Sequence, residues 1–155
     1  MGPASSPTPR PPRVNISAKT AYACLAIIEL ASDYGSGKPM QIGVIAKRHG
    51  IPPRFLVQIL LQMKGAGYVS STRGAAGGYQ LIKDPTTITL ADVMSVIEGR
   101  TKTVTPSATN HSPTSRVLSS VWNDIKRAEH MMLENTTIAS LVERVRGETE
   151  QMYFI

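Results

Sequence analysis

A long stretch of the chain carries positive charge without any negative charge. Between residues 41 and 83 the sequence contains no aspartate or glutamate, although the whole chain has a formal net charge of only +6. The cations of this basic block are Lys47, Arg48, Arg54, Lys64, Arg73 and Lys83. A carboxylate-free run of this length produces a concentrated positive potential, which is typical of a surface that binds phosphate. The alternative is a basic face that meets only solvent.

Within the basic block, the segment from about Pro53 to Gly65 predicts a helix with two different faces. One face repeats apolar residues at spacings of three and four, as a core-facing helix does: Leu56, Ile59, Leu60 and Met63. The opposite face has the same spacing and carries Arg54, Val57, Gln58 and Leu61. Guanidinium and amide groups pair with guanine and adenine edges, and an aliphatic group suits a thymine methyl, so this mixture favours base reading in a DNA groove. Lys47 and Lys64 are compact charges on flexible stems, which suit phosphate.

A glycine-rich turn follows this helix. The β-prone runs 68–72 and 79–82 flank the sequence RGAAGG at residues 73–78, which predicts a hairpin whose turn uses positive φ angles. An arginine beside glycines suits insertion along a DNA backbone or into a minor groove; the residues concerned are Arg73, Gly74, Gly77 and Gly78. The run lacks the Gly-Lys-Ser/Thr ending of a P-loop and precedes a strand, so it does not predict a nucleotide-phosphate site. An ordinary exposed turn is the alternative.

The elements that must position these residues occur in the order of a winged helix-turn-helix. Ser17 is a suitable N-cap for a first helix that extends to about Tyr34 and is apolar on nearly every side, so this helix should be central. The further predicted elements are helix 42–49, helix 53–65, hairpin 68–82 and helix 89–98. This order predicts a mainly α fold with a small β-hairpin, in which the second helix of the helix-turn-helix pair enters the major groove.

The next apolar pattern predicts an assembly element. Ser115–Glu134 is the longest predicted helix, and its apolar positions alternate steps of three and four, as in a coiled-coil seam. The seam consists of Leu118, Val121, Ile125 and Met132, with Trp122 beside it. A long helix outside a small domain needs another surface to pack on, and a second copy of the chain supplies it, so we expect a homodimer. A short closing helix is predicted over 137–142.

Composition divides the chain into five parts. We predict a disordered proline-rich leader over residues 1–14, a winged helix-turn-helix DNA-binding domain over 15–99, a sensor-type loop over 100–114, dimerisation helices over 115–145 and a tail over 146–155. No apolar run is long enough to span a bilayer and the start lacks a secretory signal, so we expect no membrane partner and a cytoplasmic location.

The sequence offers no constellation for catalysis. An enzyme would need a paired nucleophile and base, or clustered carboxylates, in a cleft. The three histidines, His49, His111 and His130, lie on separate predicted elements, and no acid lies near His49 in the sequence. We therefore do not expect an enzyme. The alternative to a DNA-binding regulator is a winged-helix module that binds protein and has only non-specific DNA affinity, because one fold can host several functions.

Three segments carry a more specific pattern: residues 17–23 (SAKTAYA), 50–60 (GIPPRFLVQIL) and above all 67–81 (GYVSSTRGAAGGYQL). In these segments the chain resembles the Rrf-two family of bacterial winged-helix regulators, and the resemblance spans about residues 14–145. It implies a homodimer that binds a palindromic operator in double-stranded DNA and usually represses transcription. Position by position, it implies that Lys19 and Tyr22 approach the DNA backbone, that the Arg73 turn is the wing, and that bases are read by Arg54, Val57 and Gln58.

The chain departs from the iron–sulfur members of this family at the sensor. Those members place three cysteines before the long helix, whereas residues 100–121 of this chain contain none. The corresponding positions are Val104, Asn110 and Arg116. A single imidazole at His111 cannot hold a cluster, so we expect no cofactor and no metal site, and a metabolite or a partner protein as the effector. Cys24, in the first helix, is either a small buried hydrophobic group or a redox-sensing thiol.

Overall fold

A computed structural model of the chain describes residues 16–99 and 112–153. The predicted leader over 1–14, most of the predicted sensor-type loop together with His111, and residues 154–155 lie outside the described residues. The elements, in chain order, are α1 (Ala18–Ser32), α2 (Ile42–His49), α3 (Pro53–Gly65), β1 (Val69–Thr72), β2 (Gly78–Leu81), α4 (Leu90–Glu98), α5 (Pro113–Asn135) and α6 (Ile138–Tyr153). This confirms the predicted mainly α fold with one β-hairpin. Within the described ranges, no helix is both long and apolar enough to cross a membrane.

Helix α1 forms the centre of the domain, as its apolar composition predicts. Ser17 caps the helix, and its hydroxyl accepts a hydrogen bond from the backbone N–H of Thr20 at 3.1 Å. Ala23, Ala26 and Ile27 are completely buried. The helix contacts α2, α3, α4, α6 and β2. A helix surrounded on so many sides needs apolar residues around its whole circumference, and the sequence supplies them.

Glycine and proline set the ends of the two helices of the helix-turn-helix. Helix α2 ends at Gly50, whose φ of +63° lies in the left-handed region that glycine adopts without strain. Pro53 opens α3, where its missing N–H costs nothing. The apolar face of α3 is buried as predicted, at Leu56, Ile59, Leu60 and Met63. Both helices begin and end at the predicted residues because these local signals are unambiguous.

A one-residue bridge attaches the hairpin to the helix-turn-helix. Strands β1 and β2 pair antiparallel, with Val69 opposite Leu81. On the free edge of β2, Tyr79 exchanges two backbone hydrogen bonds with Met40, each 2.8 Å long. Met40 lies directly before Gln41, the residue from which α2 starts. The hairpin is therefore joined to the first helix of the pair as well as to α3, which precedes it in the chain.

Helix α4 begins with a capping box formed by Thr89 and Asp92. The Thr89 hydroxyl accepts a hydrogen bond from the Asp92 N–H at 3.1 Å, and the Asp92 carboxylate accepts one from the Thr89 N–H at 3.0 Å. After α5 the chain returns to the same core: the Ile138 N–H donates to the Ile88 carbonyl at 2.8 Å, and both side chains are completely buried.

The predicted length of the last helix is wrong. A short helix was expected over 137–142, but α6 extends over Ile138–Tyr153, so residues 146–153 of the predicted tail continue this helix. Its first turns are held by buried Ile138 and Val142. Residues 143–152 are exposed, and a pair one turn apart supports the helix: Arg146 Nη1 donates to Glu143 Oε1 at 2.9 Å.

Helix α5 contributes no buried side chain to the domain. It starts slightly earlier than predicted because Ser112 caps it, accepting a hydrogen bond from the Ser115 N–H at 3.1 Å. It packs against α4. Such a long helix without a buried residue of its own has an apolar side that residues 16–99 and 112–153 leave exposed.

Candidate nucleic-acid interface

The outer face of α3 is exposed and chemically mixed. The side chains of Arg54, Val57, Gln58 and Leu61 are all exposed, as the sequence predicts, while the other face of the helix is buried. Val57 keeps 40% of its surface accessible and Leu61 keeps 54%. Because the helix already has a buried apolar face, these aliphatic groups are surplus to its own packing. Together the four groups can donate, accept and make apolar contact within one groove.

An aromatic pair joins α1 to the start of α3. The rings of Tyr22 and Phe55 are tilted by 42°, and their centroids lie 6.3 Å apart. Tyr22 is half-buried, and Lys19 lies one turn before it on the same side of α1. Phe55 is exposed, and it was not among the residues singled out from the sequence. The feature that could have identified it is the presence of an aromatic residue directly after Arg54 on the same helix. The contacts with the DNA backbone that are expected of Lys19 and Tyr22 stay a prediction.

The cations at the edges of this face differ in whether they already have a hydrogen-bond partner within the protein. Lys64 donates from Nζ to the Ser71 hydroxyl at 2.7 Å, which ties the end of α3 to β1. Lys47 and Arg73 are exposed, and neither has a side-chain hydrogen bond or ion pair within residues 16–99 and 112–153. These two cations are thus available to a ligand without breaking an internal contact, whereas Lys64 would exchange one partner for another.

One carboxylate of α1 engages the end of α2. Arg48 Nη1 donates to Glu29 Oε1, and His49 Nε2 lies 3.2 Å from Glu29 Oε2. Glu29 is half-buried, so its charge is directed at these two partners rather than at solvent. This pairing was not predictable from local sequence patterns because the residues are about twenty positions apart. Its effect is to offset the charge of Arg48 and to leave Lys47 as the unpaired cation of α2.

Close backbone packing requires two of the wing glycines. Gly78 has a φ of +152°, and a Cβ placed there would clash with the Met40 carbonyl group, at 2.5 Å from its carbon. A Cβ on Gly77 would lie 2.9 Å from the Arg73 carbonyl carbon and clash with the Thr72 carbonyl oxygen. The glycines predicted for the wing therefore have a geometric purpose. Only a residue without a side chain lets the strand approach Met40 closely enough to form the bridge.

A side chain that the sequence did not single out anchors the tip of the wing. Gln41 Nε2 donates to the Ala75 carbonyl oxygen at 3.0 Å. The turn itself is closed by the Gly77 N–H, which donates to the Gly74 carbonyl at 2.9 Å. Arg73 begins this turn and extends into solvent. The position of the Arg73 backbone is therefore set relative to α2 by a direct hydrogen bond and by the Met40 bridge.

The predicted seam on α5 forms an exposed apolar stripe. Its residues keep between 47% (Val121) and 73% (Met132) of their surface accessible; the others are Leu118, Trp122 and Ile125. A contiguous apolar stripe of this kind on a water-soluble helix is typical of an interface. The dimer that would cover it stays a prediction.

The environment of Cys24 favours the interpretation as a small hydrophobic group. Burial, together with the smaller effect of the negative charge of Glu98, raises the pKa of the Cys24 thiol to about 11. Since the thiolate is the reactive form, a raised pKa makes the sulfur a poor nucleophile and a poor metal ligand.

We therefore expect Cys24 in the folded protein to react slowly with an aromatic disulfide reagent. Because its pKa rises from 9.0 to about 11, the thiolate fraction at pH 8 should be roughly 100-fold smaller than that of an unperturbed thiol. The measurement is the rate of reagent reduction by folded protein compared with protein unfolded in urea. Equal rates in the two states would show that the thiol is neither buried nor perturbed.

Comparisons with known proteins agree with this geometry. The family model described as "Rrf2: Iron-dependent Transcriptional regulator" matches residues 16–144. The HTH-type transcriptional regulator CymR of Bacillus subtilis is 34% identical over 141 residues, which cover 91% of this chain and 99% of CymR. The solved structure of that protein, described as the global cysteine regulator of B. subtilis, has a TM-score of 0.73 at 33% identity and covers 85% of this chain and 98% of its own. The structure of T. potens IscR has a TM-score of 0.70 at 32% identity and covers 85% and 88%.

The description of the matching family names iron, but the residues present do not fit an iron–sulfur cluster. Such a cluster is held by several thiolates. The chain has one cysteine, and that residue lies within α1 with a raised pKa. In the part of the chain that the structure describes, no three His, Cys, Asp or Glu side chains are grouped closely enough to hold a metal ion.

Proposed function

The chain belongs to the Rrf2 family of helix-turn-helix transcriptional regulators, and from that membership we propose that it binds a palindromic DNA operator as a homodimer and represses transcription. The observation that carries the proposal is the exposed outer face of α3. It combines Arg54, Gln58 and two aliphatic side chains inside a stretch that has no carboxylate. A helix with this face is suited to base edges and methyl groups in the major groove.

The proposed base contacts follow from the donors and acceptors of each side chain. Arg54 can donate two parallel hydrogen bonds to guanine O6 and N7, and Gln58 can both donate to and accept from an adenine edge. Val57 is adjacent and offers a methyl surface, which favours thymine over the amino donor of cytosine. Arg54 and Gln58 are four positions apart, so they lie on one side of the helix and reach neighbouring base pairs.

The proposed phosphate contacts surround this face. Lys47, with no internal partner among the described residues, is free to bind a phosphate, and Lys19 and Tyr22 approach the backbone from α1. Arg73 on the wing enters the adjacent minor groove, where a guanidinium responds to groove width as well as to charge. Phosphate contacts supply affinity and orientation, whereas the α3 contacts supply sequence preference.

Dimerisation supplies the operator symmetry. A two-fold axis through the α5 seam would repeat the α3 face on a second half-site, and dimeric helix-turn-helix proteins bind half-sites about one helical turn of DNA apart. The proposed regulator acts in the cytoplasm without an iron–sulfur cluster and responds to a small molecule or a partner protein. Its lack of a cluster is supported by the presence of only one cysteine in the sequence, a half-buried residue with a raised pKa.

Two substitutions test the division between base and phosphate contacts. Gln58→Ala should cost roughly 1–3 kcal/mol of binding free energy on the operator and leave binding to a scrambled duplex almost unchanged. Lys47→Ala should weaken both duplexes alike and lower the slope of log affinity against log salt by about one unit. The measurement is a set of binding isotherms at several salt concentrations, with an operator first selected from a random DNA pool.

Arg144→Ala is the matched control, because Arg144 is an exposed cation on α6 outside the basic block. It should leave both affinities unchanged. If Gln58→Ala weakens operator and scrambled DNA equally, α3 does not read bases, and the protein-binding module with non-specific DNA affinity becomes the better account.

A further inference from the structure

A cavity of about 370 Å³ lies between α4 and the second half of α5. Met94 and Leu133 form apolar walls, and Glu98 and His130 provide the ionisable groups. Ligand pockets start at a volume of roughly 300 Å³, so the cavity can hold a small organic molecule. Its described lining includes no residue of the outer face of α3 or of the α5 seam, and the proposed DNA contacts do not use it.

Taken together, the described residues that line this cavity are acidic rather than basic. Glu98 is the one carboxylate among its described lining residues, and these include no lysine or arginine. The His130 imidazole already has a partner within α5, because its Nε2 lies 2.8 Å from Glu134 Oε1. The cavity therefore combines one carboxylate with apolar walls.

One oxygen of Glu98 is available to a ligand. Oε1 accepts hydrogen bonds from the Thr20 hydroxyl at 2.8 Å and from the Ser17 N–H at 3.4 Å. Within residues 16–99 and 112–153, no donor lies within hydrogen-bond distance of Oε2. Glu98 is half-buried, and a carboxylate that is partly removed from water gains from a charged donor.

We infer that this cavity binds a small primary amine, with the ammonium group on Glu98 Oε2 and a short alkyl chain against Met94 and Leu133. An ammonium presents three donors and a positive charge, which complement the carboxylate. An alcohol of the same length lacks the charge, and a carboxylate of the same length meets repulsion from Glu98. The alkyl part gains from burial against the thioether and the leucine.

The same carboxylate connects the cavity to the DNA-binding helices. Through Oε1, Glu98 holds Ser17 and Thr20, which form the capped start of α1, and Lys19 lies between them. An amine that draws the Glu98 carboxylate toward the cavity changes these contacts, so amine binding alters operator affinity. This second step rests on the proposed function, whereas binding of the amine does not.

Isothermal titration calorimetry at pH 7 with butylamine, butanol and butyrate tests the site. We expect saturable binding of butylamine at one molecule per chain, and neither of the other compounds should compete with it. Glu98→Gln keeps an oxygen for Thr20 but removes the charge, and it should weaken butylamine binding roughly tenfold or more. Leu133→Trp should abolish butylamine binding, because the indole would fill the cavity while Glu98 keeps its charge.

Glu143→Gln is the matched control, since it removes an exposed carboxylate of α6 and should leave the affinity unchanged. Thermal unfolding of each variant checks that the fold is retained. The inference is overturned if butanol binds as tightly as butylamine, if Glu98→Gln leaves the affinity unchanged, or if butylamine does not saturate. Failure of the amine to bind a protein that still binds its operator removes this inference alone. Failure of the protein to bind any operator removes the proposed function and leaves the amine result standing.

Discussion

Val121→Asp combined with Ile125→Asp is expected to convert the protein to a monomer and to lower operator affinity by roughly 100-fold or more. Both side chains lie in the middle of the α5 seam and are about half exposed in the single chain. In a symmetric dimer each substitution would place aspartates from two copies near the axis, where like charges meet and apolar burial is lost. Each protomer would then hold only one half-site.

Light scattering at micromolar concentration, together with operator binding isotherms, measures both effects. The matched control is Ser120→Asp with Asn123→Asp, because both residues are exposed on α5 and helical periodicity places them away from the seam. That control should remain dimeric and bind normally. A wild-type protein that is monomeric under these conditions would contradict the assembly, and so would a dimeric Val121→Asp/Ile125→Asp variant.

Gly78→Ala is expected to destabilise the domain by roughly 3 kcal/mol or more and to weaken operator binding. The new Cβ would overlap the Met40 carbonyl group, so the two hydrogen bonds between Met40 and Tyr79 would have to separate. The backbone at Gly78 is also unfavourable for any residue with a side chain. A thermal unfolding midpoint about 10 °C lower is the corresponding observable.

Two other glycines calibrate this effect. Gly74 has a φ of +108° but open space around it, so Gly74→Ala should cost only the backbone strain, about 1 kcal/mol. Gly43 lies inside α2 with open space and no positive φ, so Gly43→Ala should stabilise the helix by up to about 1 kcal/mol. If all three substitutions have the same effect, contact with Met40 is not the cause.

Local signals account for the elements that the sequence predicts best. The ends of α2 and α3 follow from Gly50 and Pro53, and the start of α4 follows from its capping box, because each signal acts within one turn of the chain. The end of α6 does not follow in this way. Its apolar pattern becomes sparse after Val145, and Gly147 lies in its second half, so propensity alone argues for an earlier end.

In the candidate site, too, the features set by local sequence were predictable and those set by long-range contacts were not. The outer face of α3 was predictable because helical periodicity is a local property. The contacts made by Gln41 and Glu29 were not, because each joins residues that are far apart in the chain. Phe55 lies between these cases: its exposure follows from the helix, but its contact with Tyr22 depends on how α1 crosses α3.

The bridge between Met40 and Tyr79 and the hydrogen bond from Gln41 to Ala75 attach the wing directly to the start of α2. The distance between the outer face of α3 and the Arg73 backbone is therefore set by contacts within the protein. Along B-DNA each base pair advances about 3.4 Å and rotates by roughly 35°. In the proposed complex, one base pair inserted between the positions assigned to α3 and to Arg73 would turn the minor groove away from Arg73 while α3 stayed in register. If these proposed contacts are made, the bridge fixes the helical phase at which the two grooves must lie within a half-site, and operators would then be distinguished by spacing as well as by sequence.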